Sequence, residues 1–107
     1  MESTSNCANA STPAATTTSS YVAGLTLGNC RGAIFNIQNL TAQTMHYKII
    51  GYLSVYPTAA ALTITDETSI AAGNTTNTDV VHPYAKIIVY VKSNSGACSY
   101  IIDYIQY

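Results

Sequence analysis

Hydrophobic and polar residues alternate along most of the chain after its first twenty residues. In residues 33–39 the apolar Ala33, Phe35 and Ile37 occupy every second position, and the polar Asn36 and Gln38 lie on the other face. The same alternation recurs in residues 44–54 and 84–93. A period of two residues is typical of a β-strand with one buried face. These stretches are therefore predicted to be strands.

Turn-forming residues separate seven such stretches. Pro57 cannot donate to a sheet ladder and ends one of them. Residues 71–74 and 94–97 have the composition of tight turns, the second of them a hairpin loop. No window keeps a helical period. The chain is therefore predicted to be all-β, an antiparallel β-sandwich of jelly-roll or immunoglobulin-like type with about seven strands. The predicted strands are 21–27, 33–39, 44–54, 61–65, 76–81, 84–93 and 98–107.

The first twenty residues have a different composition. They are almost entirely Ser, Thr, Ala and Asn, and they contain no large apolar group apart from Met1. Ordering such a segment costs conformational entropy without much hydrophobic gain. We expect residues 1–20 to be an extended N-terminal arm, either flexible or ordered by assembly. Residues 21–107 would be the β-sandwich domain.

The charge content excludes two classes of partner. Only 8% of residues are charged, with Lys+Arg 4 and Asp+Glu 5, and the formal net charge is −1. Nucleic-acid binding depends on many Lys and Arg contacts to phosphates, and membrane-surface binding depends on basic clusters. The N-terminus lacks the basic and apolar regions of a secretory signal, so we expect synthesis in the cytoplasm. We expect no nucleic-acid or membrane partner.

The aromatic residues suggest a self-association surface. There are nine tyrosines, one phenylalanine and no tryptophan. Tyr52, Ile88 and Tyr90 fall on the outward positions of their strands. Tyr100 and Tyr104 would lie beside them if the last strand pairs with the one before it. Tyrosine is enriched at interfaces, and a monomer seldom exposes such a face, so these five residues are the predicted interface.

Three cysteines, Cys7, Cys30 and Cys98, are too scattered for a zinc site. An odd count permits one internal bridge and one free thiol. Cys30 and Cys98 flank predicted strands, whereas Cys7 lies in the arm, so Cys30–Cys98 is the candidate disulfide. The alternative is three small, inert thiols.

Catalytic and metal-binding residues are sparse. Asp79 and His82 lie three residues apart near a strand end, but no recognised nucleophile motif surrounds a serine. Asp66 and Glu67 could join Asp103 in a calcium site, although adjacent acids at a strand end are commonly solvated loop charges. We predict no catalytic residues, no enzyme activity, no metal and no cofactor.

From about Phe35 onward the chain resembles small β-sandwich proteins among the virion components of tailed phages and related viruses. The residues that carry the resemblance are Tyr47-Lys48-Ile49 with Gly51, Ile70-Ala71-Ala72-Gly73, the run from Pro83 to Ser93, Gly96 and a tyrosine-bearing last strand. The resemblance implies a capsid decoration (cement) or other minor structural role. The short segment 55–59 replaces the acidic, tryptophan-bearing loop of such proteins.

The leading hypothesis is thus a virion structural protein that oligomerises and binds a major capsid or other virion protein. It would be made in the host cytoplasm and located in the virion. A second hypothesis is an extracellular filament or pilus subunit, in which the arm completes a neighbour's sheet by strand addition. A third is a monomeric module that binds glycans or receptors through its tyrosines.

Overall fold

The structure is a computed structural model that describes residues 9–17, 21–53, 60–80, 84–93 and 98–106. Within these ranges the chain forms eight β-strands. They are β1 (Asn9–Thr17), β2 (Val22–Cys30), β3 (Ala33–Asn39), β4 (Met45–Tyr52), β5 (Ala61–Ile70), β6 (Thr75–Val80), β7 (Tyr84–Ser93) and β8 (Cys98–Gln106). All seven predicted strands are found, and β1 is additional.

The strands form two four-stranded antiparallel sheets. The first sheet has the order β1-β8-β3-β6, and the second has the order β2-β7-β4-β5. The chain passes repeatedly from one sheet to the other, as in an eight-stranded jelly roll. The predicted β-sandwich is confirmed, in its jelly-roll rather than its immunoglobulin-like form.

The core lies between the inward faces of the two sheets. Residues at alternate positions of β3, β4 and β7 are fully or almost fully buried, as the sequence alternation requires. Across the core, the hydroxyl groups of Tyr47 and Thr78 are 3.2 Å apart and link the second sheet to the first. The largest fully buried side chains are those of Phe35, Ile37, Met45, Ile49 and Ile102.

Residues 9–17 differ from the prediction of a separate arm. This segment pairs with β8 of the same chain as the edge strand of the first sheet. Its threonines favour extended structure, and an unpaired edge of β8 would otherwise present free backbone groups. Pro13 lies where the register shifts between Thr12 and Ala15, a place where a missing N–H is tolerated. The predicted boundary at residue 20 therefore does not separate residues 9–17 from the sandwich.

The last strand also pairs differently from the prediction. β8 lies between β1 and β3 in the first sheet, whereas β7 lies between β2 and β4 in the second sheet. The two strands are therefore not a hairpin. The predicted hairpin loop, residues 94–97, lies outside the described residues.

One buried polar side chain organises the end of the sandwich where β3 ends. Asn39 is 0% exposed, and its amide nitrogen donates to the carbonyl oxygens of Gln43 at 2.6 Å and Ile70 at 3.1 Å. Its carboxamide oxygen accepts from the backbone N–H and the hydroxyl of Thr41. Its backbone N–H donates to the carbonyl of Asn74. Asn39 thus ties the β3–β4 connection to the turn after β5.

Candidate interaction surfaces

The second sheet presents lysine, tyrosine and isoleucine side chains on its outer surface. Strands β4 and β7 pair so that Ile50 lies opposite Ile88 and Lys48 lies opposite Tyr90. Successive side chains point to opposite sides of a sheet, and the alternate positions of both strands fill the core. The outward set, called here the lysine–tyrosine face, consists of Tyr21, His46, Lys48, Ile50, Tyr52, Lys86, Ile88, Tyr90 and Lys92.

Lysine ammonium groups on this face lie over tyrosine rings. The Nζ atom of Lys48 is 4.4 Å from the centre of the Tyr21 ring and 5.6 Å from that of Tyr90. The Nζ atom of Lys86 is 4.5 Å from the centre of the Tyr52 ring. A cation within about 6 Å of a ring is attracted by the negative face of the π-system. These contacts fix the lysine stems across the sheet.

A carboxylate lies at the β5 edge of the lysine–tyrosine face. The Glu67 Oε2 atom is 3.6 Å from Lys92 Nζ and 3.6 Å from His46 Nδ1. The Ser69 hydroxyl is 3.2 Å from the same His46 nitrogen. Lys92 Nζ is also 4.8 Å from the centre of the Tyr21 ring. Glu67 therefore compensates part of the positive charge at this edge only.

Two tyrosines of the face, Tyr21 and Tyr90, have raised pKa values and remain neutral well above physiological pH. Burial, followed by the negative charge of Glu67, raises the pKa of Tyr21 to about 12. A hydrogen bond with Tyr52, followed by burial, raises the pKa of Tyr90. These phenols are therefore neutral rings that can receive both cations and hydrogen bonds.

The structure brings together three of the five predicted interface residues. Tyr52, Ile88 and Tyr90 share the lysine–tyrosine face. Tyr100 and Tyr104 do not lie on this face, so their predicted position beside the other three is wrong, because β8 belongs to the other sheet. Tyr100 is only 3% exposed, and Tyr104 is partly buried against the core.

Sequence reasoning gave no role to Tyr21, whose ring lies near two lysines. Tyr21 precedes β2, and β2 pairs with β7, which brings Tyr21 near Lys92 and Lys48. The position of the lysines, in contrast, could be recognised from the sequence. All three lysines of the chain occupy outward positions of alternating strands.

The outer surface of the first sheet has the opposite charge. Ile34 lies opposite Ile105 on β8 and opposite Asp79 on β6, and Asn36 lies opposite Asp103. Ile34 is 42% exposed and Ile105 is 47% exposed, so apolar surface reaches solvent beside a carboxylate. This acidic face consists of Ile34, Asn36, Gln38, Thr75, Asn77, Asp79, Ile101, Asp103 and Ile105.

The strand register separates the two cysteines of the candidate disulfide. Cys30 is opposite Tyr84 at the end of the sandwich where β3 begins, whereas Cys98 is opposite Thr17 at the end where β3 finishes. The length of β3, 7 residues, puts about 20 Å between these ends at about 3.3 Å per residue. A disulfide requires Cα atoms within about 7 Å. A Cys30–Cys98 bridge within one chain does not fit this register.

The three residues of the candidate calcium site are not brought together. Asp66 and Glu67 lie on β5 of the second sheet, and Asp103 lies on the outer surface of the first sheet. Among the described residues no group of three His, Cys, Asp or Glu side chains could hold a metal ion. His82 lies outside the described residues. In the same part of the chain, no helix has the length and apolar character needed to cross a membrane.

No protein-family model matches this sequence, and no curated protein matches it. The fold, in contrast, is similar to that of several solved structures. One comes from the Bacillus endospore appendages, described as a novel family of disulfide-linked pili, with a TM-score of 0.55 and 13% identity. The match covers 94% of this chain and 87% of that chain.

Two further similar structures come from phages. The SPBc2 prophage-derived protein YomS has a TM-score of 0.56 and 15% identity, over 94% of this chain and 95% of that chain. The enzymatically active domain of tailspike protein 4 from bacteriophage CBA120 has a TM-score of 0.56 and 18% identity. That match covers 99% of this chain but 20% of the tailspike chain. At these identities the similarity shows the fold alone.

Proposed function

We propose that this protein is a non-enzymatic subunit that assembles head to tail into a filament of the pilus kind. The observation that carries the proposal is the placement of Cys30 and Cys98 at opposite ends of the sandwich. One chain cannot close this bridge, but Cys30 of one copy can join Cys98 of the next. After one such bridge forms, each of the two joined copies still has one of its two cysteines available. The linkage can therefore repeat along an open chain.

The covalent step is an ordinary thiol oxidation. Two thiols lose two protons and two electrons to an oxidant such as dioxygen, and one S–S bond forms. Such links persist in oxidising surroundings, so the assembled form would be extracellular. Similarity of fold to the disulfide-linked Bacillus pili, over nearly the full length of both chains, supports this proposal.

A second candidate function is a virion structural protein, which includes the capsid decoration role. It is favoured by the similarity of fold to the prophage-derived protein YomS over nearly the full length of both chains. In that case the partners would be further copies of this chain and a capsid or other virion protein. Tyr52, Ile88 and Tyr90 would contribute to the contact in either assembly. A decoration protein would form a closed, symmetric oligomer, whereas a filament would be open.

Non-reducing electrophoresis of the air-oxidised protein tests the proposal. The wild type should give a ladder of multimers that collapses to the monomer with dithiothreitol. Cys30→Ser and Cys98→Ser should each abolish the ladder, because each removes one half of every link. Cys7→Ser is the matched control, since it also removes one thiol but leaves the proposed pair intact.

Each contrary outcome has a definite meaning. A monomeric band for the oxidised wild type, with all thiols still reactive toward a maleimide, would contradict disulfide-linked assembly. Loss of the ladder in Cys7→Ser would contradict the Cys30–Cys98 pairing and make Cys7 a partner in the link. Electron microscopy of the oxidised wild type then separates filaments from closed rings, and closed rings would favour the virion candidate.

A further inference from the structure

The lysines of this charge-poor chain lie on one face of the sandwich, and two of its aspartates lie on the opposite face. Three of its four Lys and Arg residues, Lys48, Lys86 and Lys92, lie on the lysine–tyrosine face. Asp79 and Asp103 lie on the acidic face, and no lysine or arginine is found there among the described residues. Glu67 offsets Lys92 at the β5 edge, so the positive charge of the lysine–tyrosine face is carried mainly by Lys48 and Lys86.

Each face also combines its charges with apolar surface near its centre. On the lysine–tyrosine face, Ile88 is partly exposed, and Lys86 and Tyr90 are the next outward positions along β7, whereas Ile50 opposite Ile88 is buried at 9% exposure. On the acidic face, Ile34 and Ile105 lie opposite each other and are both more than 40% exposed. Ile88 with its neighbouring lysine and tyrosine would thus meet an isoleucine pair beside aspartates.

The two faces are large enough for a specific contact. Four strands about 4.8 Å apart and about eight residues long give a surface of about 19 by 26 Å. Face-to-face packing would bury about 500 Å² on each partner and about 1,000 Å² in total. This is near the lower limit for specific protein–protein contacts, so the contact suits repeated use in an assembly.

Only one way of stacking copies makes these charges complementary. Two lysine–tyrosine faces, or two acidic faces, would place like charges together, and their repulsion opposes the contact. A lysine–tyrosine face against an acidic face pairs opposite charges. Because the two faces lie on opposite sides of one sandwich, a docked pair still exposes one lysine–tyrosine face and one acidic face. Further copies can add at both ends, which gives an open stack.

We propose that the lysine–tyrosine face of one copy docks on the acidic face of the next. This inference rests on the proposed function, because it names the partner of a self-assembling subunit. It adds a non-covalent contact that does not depend on the cysteines. The contact weakens with salt, because exposed charge pairs are screened over about 8–10 Å at physiological ionic strength.

Charge exchange between the two faces tests the inference. Lys48→Glu/Lys86→Glu makes both faces acidic, and Asp79→Lys/Asp103→Lys makes both faces basic. Each variant alone should associate at least tenfold more weakly than the wild type in sedimentation velocity with dithiothreitol present. An equimolar mixture should associate again, because each variant then finds faces of opposite charge on the other variant. The recovery also shows that both variants are folded.

A matched control carries the same kind of charge change away from both faces. Arg31→Glu reverses one positive charge in the β2–β3 connection. This variant should associate as the wild type does. Wild-type association should fall as sodium chloride is raised from about 50 mM to about 500 mM.

The contrary results distinguish this inference from the proposed function. A reduced wild type that stays monomeric at millimolar concentration, yet forms the disulfide ladder when oxidised, would overturn face docking and leave the filament proposal standing. Association of the wild type that neither charge variant weakens would also overturn it. Separate variants that fail to recover on mixing, while each keeps the wild-type circular dichroism spectrum, would overturn the pairing of these two faces.

Discussion

The ammonium nitrogen of Lys48 lies 4.4 Å from the centre of the Tyr21 ring, and the two residues come from different parts of the second sheet. Lys48 is in the middle of β4, whereas Tyr21 immediately precedes β2, and β7 lies between these strands. The contact therefore ties the residue that precedes β2 to the centre of the lysine–tyrosine face. It also places a neutral aromatic ring beside the positive charge of Lys48.

Replacing the Tyr21 ring should weaken folding through this contact. Tyr21→Leu keeps an apolar side chain but removes the π-system, so the free energy of unfolding should fall by about 1 kcal/mol. Urea denaturation measures the change. In a Lys48→Met background the same replacement should cost less, because one of the two cations has been removed. An equal loss in both backgrounds would contradict an interaction between the Lys48 ammonium and the ring.

The raised pKa of Tyr21 predicts a loss of stability in alkali. Its pKa is about 12 in the folded protein, against 10.0 for an unperturbed tyrosine. Below about pH 10 the phenol is protonated in both states. Above that the unfolded chain releases its proton first, so stability falls as the pH rises from about 10 to about 12.

The alkaline effect is measured by comparing the wild type with Tyr21→Phe. Urea midpoints at about pH 9 and about pH 11 should fall less for Tyr21→Phe, which has no phenol to ionise. Glu67→Gln should give an intermediate decline, because the carboxylate contributes to the raised pKa of Tyr21. The same decline in all three proteins would show that Tyr21 is not responsible.

Asn39 should be among the polar residues most important for stability. Its amide donates to the carbonyls of Gln43 and Ile70, and Asn39→Ala would remove this donor from the partly buried Gln43 carbonyl and the buried Ile70 carbonyl. We expect a loss of about 2–4 kcal/mol, since each lost bond or unsatisfied group costs about 1–3 kcal/mol. Asn36→Ala, on the acidic face, is the control and should change stability by less than about 0.5 kcal/mol. Equal effects of the two replacements would refute the bridging role of Asn39.

Gly51 is required because the ring of Tyr84 packs directly over it. A Cβ atom at position 51 would lie 2.6 Å from two ring carbons of Tyr84 and 2.8 Å from Ile64 Cδ1. Gly51→Ala should therefore cost about 1–3 kcal/mol through overpacking. In a Tyr84→Ala background the same replacement should cost less, because the two ring contacts are gone and only the contact with the flexible end of Ile64 remains. Additive costs in thermal unfolding would contradict the close approach.

Much of the fold could be predicted from the sequence because a period of two residues is a local property. The alternation in β3, β4 and β7 separated core positions from outward positions, and it placed Lys48 and Tyr90 on the outer side. Ile50 is the exception in β4, because it lies on the outward side and is nevertheless buried. Strand pairing is different, because it depends on residues far apart in the chain. The position of β8 beside β3, rather than β7, decided that Tyr100 is buried.

β1 was missed for a related reason. Residues 9–17 have no large apolar side chain, so no alternation marks them as a strand. What places them in the sheet is the unpaired backbone of β8, a partner about ninety residues away in sequence. The charge difference between the two outer faces could not be predicted from the sequence either. Their opposite charges become visible only when Asp79, Asp103 and the lysines are assigned to different sheets.

Head-to-tail assembly is tested most directly by the mass distribution of the full-length wild type, measured by sedimentation velocity over a wide concentration range with and without dithiothreitol. Such assembly predicts a broad distribution whose mean mass rises steadily with concentration, with longer species when the protein is oxidised. A monomer under every condition would contradict self-assembly. A single closed oligomer whose mass is independent of concentration would contradict the open, head-to-tail arrangement.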